Sequence, residues 1–164
     1  MSQLRGKVAI VTGGGTGIGL AICDALMQQG VNVVLSSRSE TVLSEQAKSF
    51  NNQYSIDKNG AKAVAIAADV RDKTQVQQVV SGAIDEFGKI DILINNAGLG
   101  VTDKIIDCPE ENWDLVLDTC TKGTFLMCQS VLPHMQQQKD GFIINIASQA
   151  AQNGYSEAGP YCAA

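Results

Sequence analysis

Short apolar runs alternate along this chain with stretches in which apolar residues recur every three or four positions. The runs fall at residues 7–11, 31–36, 63–67, 90–94 and 142–146, and none shows regular polar alternation. Strands covered on both faces read this way, whereas a half-exposed strand alternates. Helical spacing occupies residues 17–29, 40–59, 73–87 and 110–137, with Gly30 and Gly88 placed as C-terminal stops. The 40–59 stretch is the less apolar of the first two and is expected to be more exposed. In the last, Trp113, Val116, Leu117, Phe125, Leu126, Val131 and Leu132 supply the apolar positions. Strands alternating with helices predict an α/β fold with a parallel sheet. Right-handed crossovers then give the strand order 3-2-1-4-5, with a ligand outside the carboxyl ends of strands one and four.

The first run feeds directly into Thr12-Gly13-Gly14-Gly15-Thr16-Gly17-Ile18-Gly19, and apolar Ile18, Ala21, Ile22, Ala25 and Leu26 follow at helical spacing. Strand, glycine turn and helix start together read as a cradle for a dinucleotide pyrophosphate. Glycine permits the sharp turn and the close approach of phosphate to backbone N–H groups, and the helix aims its free donors at the same place. The fold expected is therefore a Rossmann-type doubly wound sheet.

Composition narrows the partners. At 164 residues the chain suits one well-filled domain, spanning 1–164. A net charge of −5 without a Lys/Arg-rich run argues against nucleic acid. No apolar stretch approaches a membrane span and the N-terminus lacks a signal-peptide core, so a cytoplasmic or organelle-matrix location is expected. Five cysteines without a C-x-x-C pair read as reduced thiols, and neither they nor the lone His134 suggest a metal site.

Polar residues gather after the strands. Arg38 follows Ser36-Ser37 where an adenosine ribose is normally read. A carboxylate there would accept from the ribose 2′-OH, whereas a guanidinium can hold a 2′-phosphate as a charged fork. The position leans towards NADP(H), with NAD(H) disfavoured; the alternative is a solvated loop arginine. Asp69, beside Val70, either hydrogen-bonds an adenine amino group or serves as an ordinary helix N-terminal aspartate. In Asn95-Asn96-Ala97-Gly98 the small residues would let a flat ring approach, while an asparagine can equally tie neighbouring strands. Ser148 and Tyr161 follow the fifth strand, thirteen residues apart (161 − 148).

Taken together, Thr12-Gly-x-x-x-Gly17-x-Gly19, Asn95-Asn-Ala-Gly98, Ser148 and Tyr161 resemble the compact short-chain dehydrogenases/reductases, among them 3-oxoacyl-carrier-protein and carbonyl reductases. The glycine spacing differs from that of the extended, epimerase-like relatives. The resemblance implies hydride transfer between a nicotinamide cofactor and a carbonyl or secondary alcohol, and homo-oligomers at full length. It makes Ser148 the residue that orients the substrate oxygen and Tyr161 the acid. It also makes Thr12, Gly13, Gly15, Thr16, Gly17, Ile18, Gly19, Arg38, Asp69, Val70, Asn95, Ala97 and Gly98 the cofactor-binding set. Two departures stand out. Tyr161-Cys162-Ala163-Ala164 is the family's Tyr-x-x-x-Lys without its lysine, so a C-terminally truncated chain lacking the last strands and helices is expected. Cys120 occupies the asparagine position of Asp-x-Asn-x-x-Gly-x-Phe, and a thiol is a weak hydrogen-bond partner. The alternative reading is a non-catalytic dinucleotide-binding module or an inactive fragment.

Overall fold

The computed structural model describes residues 3–54 and 59–164. Five strands, β1 (Val8–Thr12), β2 (Asn32–Ser37), β3 (Ala63–Ala67), β4 (Ile92–Asn95) and β5 (Phe142–Asn145), pair in parallel in the order β3-β2-β1-β4-β5. The expected order holds, and strand ends move by one or two residues. Six helices accompany them: α1 (Gly17–Gln28), α2 (Glu40–Gln53), α3 (Lys73–Phe87), α4 (Glu110–Leu117), α5 (Gly123–Gln138) and the short α6 (Gly159–Ala163).

Two helices depart from expectation. The stretch expected to be helical to residue 59 leaves the helix after Gln53; residues 55–58 of that span lie outside the described residues. Buried Tyr54 donates its hydroxyl to Asp24 on α1 at 2.5 Å, and the Asn59 amide donates to Met27 O at 2.7 Å while accepting from Ala61 N at 3.0 Å. These side-chain bonds tie both ends of the connection to α1. The expected single helix over 110–137 is interrupted by a π-turn at Asp118–Lys122. Thr119 and Thr124 hydroxyls donate back to the carbonyls of Leu115 and Cys120 at 2.7 Å, a habit that bends helices.

Alternate strand residues divide between two buried layers, as a period of two requires. Ala9, Val11, Val33, Leu35, Ile92 and Ile94 pack with Cys23 and Met27 of α1 and Leu43, Ala47 and Phe50 of α2. Ile10, Val34 and Leu93 face the other way, onto Val76, Val79 and Ala83 of α3 and Leu126, Met127 and Val131 of α5. Strand β5 breaks the pattern. Ile143 packs against the second layer, but Phe142 and Ile144 remain 61% and 48% exposed because α1 and α2 do not reach that far. An apolar flank is thus open on the sheet. Among the described residues no helix is long and apolar enough to cross a membrane.

The amino edge of the sheet is held by one buried carboxylate. Asp91 accepts from Val8 N at 2.8 Å and pairs with Lys7 at 3.2 Å and Lys89 at 3.0 Å. Lys7 also donates to Asp140, whose carboxyl it holds below the usual carboxylate range. Asp91→Ala leaves the Val8 N–H without an acceptor, and equilibrium urea unfolding is expected to show a loss of about 1–3 kcal/mol, the cost of an unsatisfied buried donor.

Candidate active site

The carboxyl ends of the strands open on a cleft of about 1030 Å³, ample for a bound small molecule or cofactor. Its floor depends on Thr12, which is buried at the end of β1. The Thr12 hydroxyl accepts from the N–H groups of Asn96 and Ala97, both at 3.0 Å, and donates to Ile94 O at 3.4 Å. In return the Asn96 amide donates to Thr12 O at 2.9 Å and Gly13 O at 3.4 Å. The glycine turn is thereby clamped to the end of β4.

From there the chain reverses at Gly13, where φ is +66°, and enters α1 at Gly17, where φ is +54°. Gly19 lies directly over the turn: a Cβ there would stand 2.2 Å from Gly13 O. The Thr16 side chain makes no capping bond, so the first N–H groups of α1 have no side-chain acceptor. Gly13, Thr16, Gly17 and Ile18 line the cleft, whereas Thr12, Gly15 and Gly19 are buried beneath it. The seven residues grouped by sequence thus divide into four that face the cleft and three that shape it.

Beside the turn, Arg38 follows β2 and stands exposed on the cleft wall between Ser37 and Ser39. After β3, Ala68 and Val70 line the cleft while Asp69 turns to Arg71. Arg71 Nε donates to both carboxylate oxygens at 3.0 Å and Nη2 to Oδ2 at 2.5 Å, which holds the Asp69 carboxyl below its ordinary value. The helix-cap alternative for Asp69 is corrected by the structure. Asp72 caps α3, accepting from Thr74 N at 2.8 Å and Gln75 N at 3.2 Å, because it lies immediately before the first helical residue.

The far wall comprises Asn95 to Gly100, parts of the π-turn, and the segment after β5. Asn95 is 5% exposed and donates to Asn145 Oδ1 at 2.9 Å and Cys128 Sγ at 3.4 Å; Ile146 N donates to Asn95 O at 2.8 Å. It ties β4 to β5, one of its two sequence readings, and its Oδ1 is buried without a partner. Ala97 and Gly98 line the cleft. Cys120 lies on the π-turn and donates its thiol to Leu99 O at 3.6 Å, so it contacts the backbone that borders the site. Val70 and α5 come close because Gly123 has no Cβ; one would lie 2.6 Å from Val70 Cγ2.

Ser148 and Tyr161 both reach the cleft. The Ser148 Oγ accepts from Ala150 N at 3.2 Å, which orients the oxygen and leaves its own proton to donate outward. Tyr161 sits on α6, its ring against Gly100, and no described side chain hydrogen-bonds its hydroxyl. The segment leading into α6 is tied to Asp103, whose N–H donates to Glu157 O at 2.9 Å. The strand-tying reading of the asparagine pair holds for Asn96, whose amide joins the end of β4 to Thr12. Sequence reasoning missed the structural parts of Asn145 and Arg71; a polar residue ending an apolar strand was the available signal for Asn145, and nothing local signalled Arg71. His134 does not line the cleft, and all five cysteines are free, with burial pushing the Cys23 thiol up to about 12. Among the described residues no group of three or more His, Cys, Asp or Glu is placed to hold a metal.

Comparison with known proteins agrees with this geometry. Residues 7–164 match the family model described as short chain dehydrogenase. An uncharacterized oxidoreductase of Staphylococcus epidermidis is 40% identical over 148 residues, covering 90% of this chain and 60% of the relative. One from Staphylococcus haemolyticus is 37% identical over 163 residues, covering 99% and 67%. Among solved structures, an NAD+-bound xylitol dehydrogenase superposes with a TM-score of 0.89 at 31% identity, covering 97% of this chain and 59% of that one. Levodione reductase gives 0.89 at 30% identity, covering 97% and 60%. The chain spans about 60% of the length of the Staphylococcus epidermidis relative and of both solved structures.

The turn geometry separates two glycines. Gly19→Ala drives a Cβ into a backbone carbonyl and is expected to cost about 1–3 kcal/mol, the usual penalty for overpacking. Gly17→Ala meets no atom within 4 Å and carries only the left-handed penalty of about 1–2 kcal/mol. Thermal melts compare their stabilities, and nucleotide titration should show affinity lost in Gly19→Ala beyond what its stability explains.

Proposed function

This chain belongs to the short-chain dehydrogenase/reductase family, and we propose that its cleft binds NADP(H) and supports interconversion of a carbonyl and a secondary alcohol. The family's fold implies a nicotinamide dinucleotide, and the residues present fit one. A Cβ-free turn leads into an uncapped helix start, the arrangement that receives a pyrophosphate. Arg38 stands along the same surface, with no described carboxylate paired to it, at the distance of one strand. The single observation that carries the reading is that one continuous cleft joins Gly13, Thr16, Gly17, Ile18, Arg38, Ser148 and Tyr161.

In this reading Gly13, Thr16, Gly17 and Ile18 bound the pyrophosphate, supported from below by Thr12, Gly15 and Gly19. Arg38 takes the 2′-phosphate, and Asp69 and Val70 border the adenine. Asn95, Ala97 and Gly98 form the wall near the nicotinamide ribose. When bound, the cofactor supplies or accepts a hydride. Ser148 donates a hydrogen bond to the substrate oxygen and fixes its position. Tyr161 holds the proton that this oxygen receives on reduction and regains it on oxidation. Exposed Trp113 on α4 and Phe125 and Leu132 on α5 support a homo-oligomer in the full-length form. A second reading, binding without turnover, is favoured by the Tyr161 hydroxyl, which no described ammonium or guanidinium hydrogen-bonds.

Calorimetric titration with both reduced nucleotides tests the cofactor. Arg38→Ala should weaken NADPH by about 1.5–3 kcal/mol, the worth of a charged hydrogen bond, and leave NADH nearly unchanged; equal losses would remove the assignment. Stopped-flow assays over a panel of ketones test the chemistry. Tyr161→Phe should slow turnover at least about 10²-fold. Tight NADPH binding by a wild-type chain that reduces no ketone would instead favour the binding module.

A further inference from the structure

Arg71 follows Asp69 by two residues, and neither the family match nor the cleft lining gives it a part. The register of β2 with β3 pairs Ser37 with Ala67, and Ala68 N donates to Ser37 O at 2.9 Å. Arg38 and Asp69 therefore emerge side by side at the carboxyl edge. An acidic residue so close to a phosphate-binding guanidinium would normally defeat it twice, by pairing with the arginine and by repelling the phosphate. Here both oxygens of the Asp69 carboxylate are taken by Arg71, in a planar fork that a guanidinium forms well. The backbone N–H of Arg71 adds a further bond to Oδ1 at 3.0 Å. Among the described residues Arg38 is left without a paired carboxylate, and the three side chains together carry one net positive charge.

We propose that Arg71 sets the preference for a 2′-phosphorylated nucleotide by occupying the Asp69 carboxylate and so keeping Arg38 available. The inference rests on the NADP(H) reading above. Arg71 is a positioning residue in it, since it acts through Asp69 and need not touch the nucleotide. Its neighbour Asp118, on the π-turn, pairs with Lys122 at 3.3 Å and attracts Arg71 only at longer range, so Asp69 remains its partner.

The test uses two probes that differ by the phosphate in question, 2′,5′-ADP and 5′-AMP, titrated by calorimetry into the whole chain. The readout is the ratio of their affinities, which cancels any adenine contact that Asp69 makes to both. Arg71→Gln is expected to lower the ratio about tenfold, as an unpaired carboxylate turns on Arg38. Adding Asp69→Asn to that variant should return the ratio to within about twofold of wild type, because the offending charge is gone. Asp69→Asn alone should keep or raise it, which preserves a test if Arg71→Gln does not fold. An unchanged ratio in Arg71→Gln, or a fall in Asp69→Asn, overturns the inference. If Arg38→Ala still lowers the ratio in that case, the cofactor reading survives alone; a wild-type chain that binds neither probe overturns both.

Discussion

The Thr12 hydroxyl is the point on which the site depends. It occupies the end of the central strand, takes N–H donors from Asn96 and Ala97, and gives its own proton to Ile94 O. Two neighbouring parallel strands must end somewhere, and their terminal N–H and C=O groups would otherwise be left unpaired in a half-buried place. One small β-branched residue satisfies them and stays rigid about χ1. The glycine turn on one side and the Asn95–Gly98 wall on the other are both set by that junction.

The opposite edge is built by a comparable economy of polar groups. Asn95 and Asn145 join β4 to β5, and the backbone bond from Ile146 carries the registration one residue further towards Ser148. The π-turn then brings Cys120 against Leu99, while Gly123 lets α5 lie close to Val70. π-turns widen a helix locally and recur beside functional sites. In this chain the widened turn forms part of the cleft wall itself, through Thr119, Cys120 and Thr121.

Electrostatics in the cleft are governed by who pairs with whom. Along the amino edge, Lys7 and Lys89 pair with buried Asp91, which also accepts from Val8 N. At the carboxyl edge, Arg71 engages Asp69, and Arg38 stays open to solvent and to a ligand. Acidic and basic residues at equal number would look alike in composition; their pairing separates a structural charge from one free to bind.

Strand positions, their parallel order and the glycine turn were legible because they follow from local rules. An uninterrupted apolar run must be covered on both faces, and a crossover between parallel strands has one hand. The candidate position Arg38 was legible for the same reason, since it directly follows a strand whose end can be read, whereas Ser148 and Tyr161 were singled out by the spacing they share with a family motif. Much of what lay beyond the sequence was decided by contacts between distant segments: the end of α2 comes from Tyr54 and Asn59 bonding to α1. The break in the long helix is instead local, with threonine hydroxyls donating back to carbonyls four residues earlier. The helix cap falls on Asp72, which immediately precedes α3, while Asp69 pairs with Arg71. The sequence by itself determined the order of the elements and the place of the cleft; only the tertiary structure decided which polar side chains face that cleft and which are spent holding it together, because that choice is made by partners many residues away.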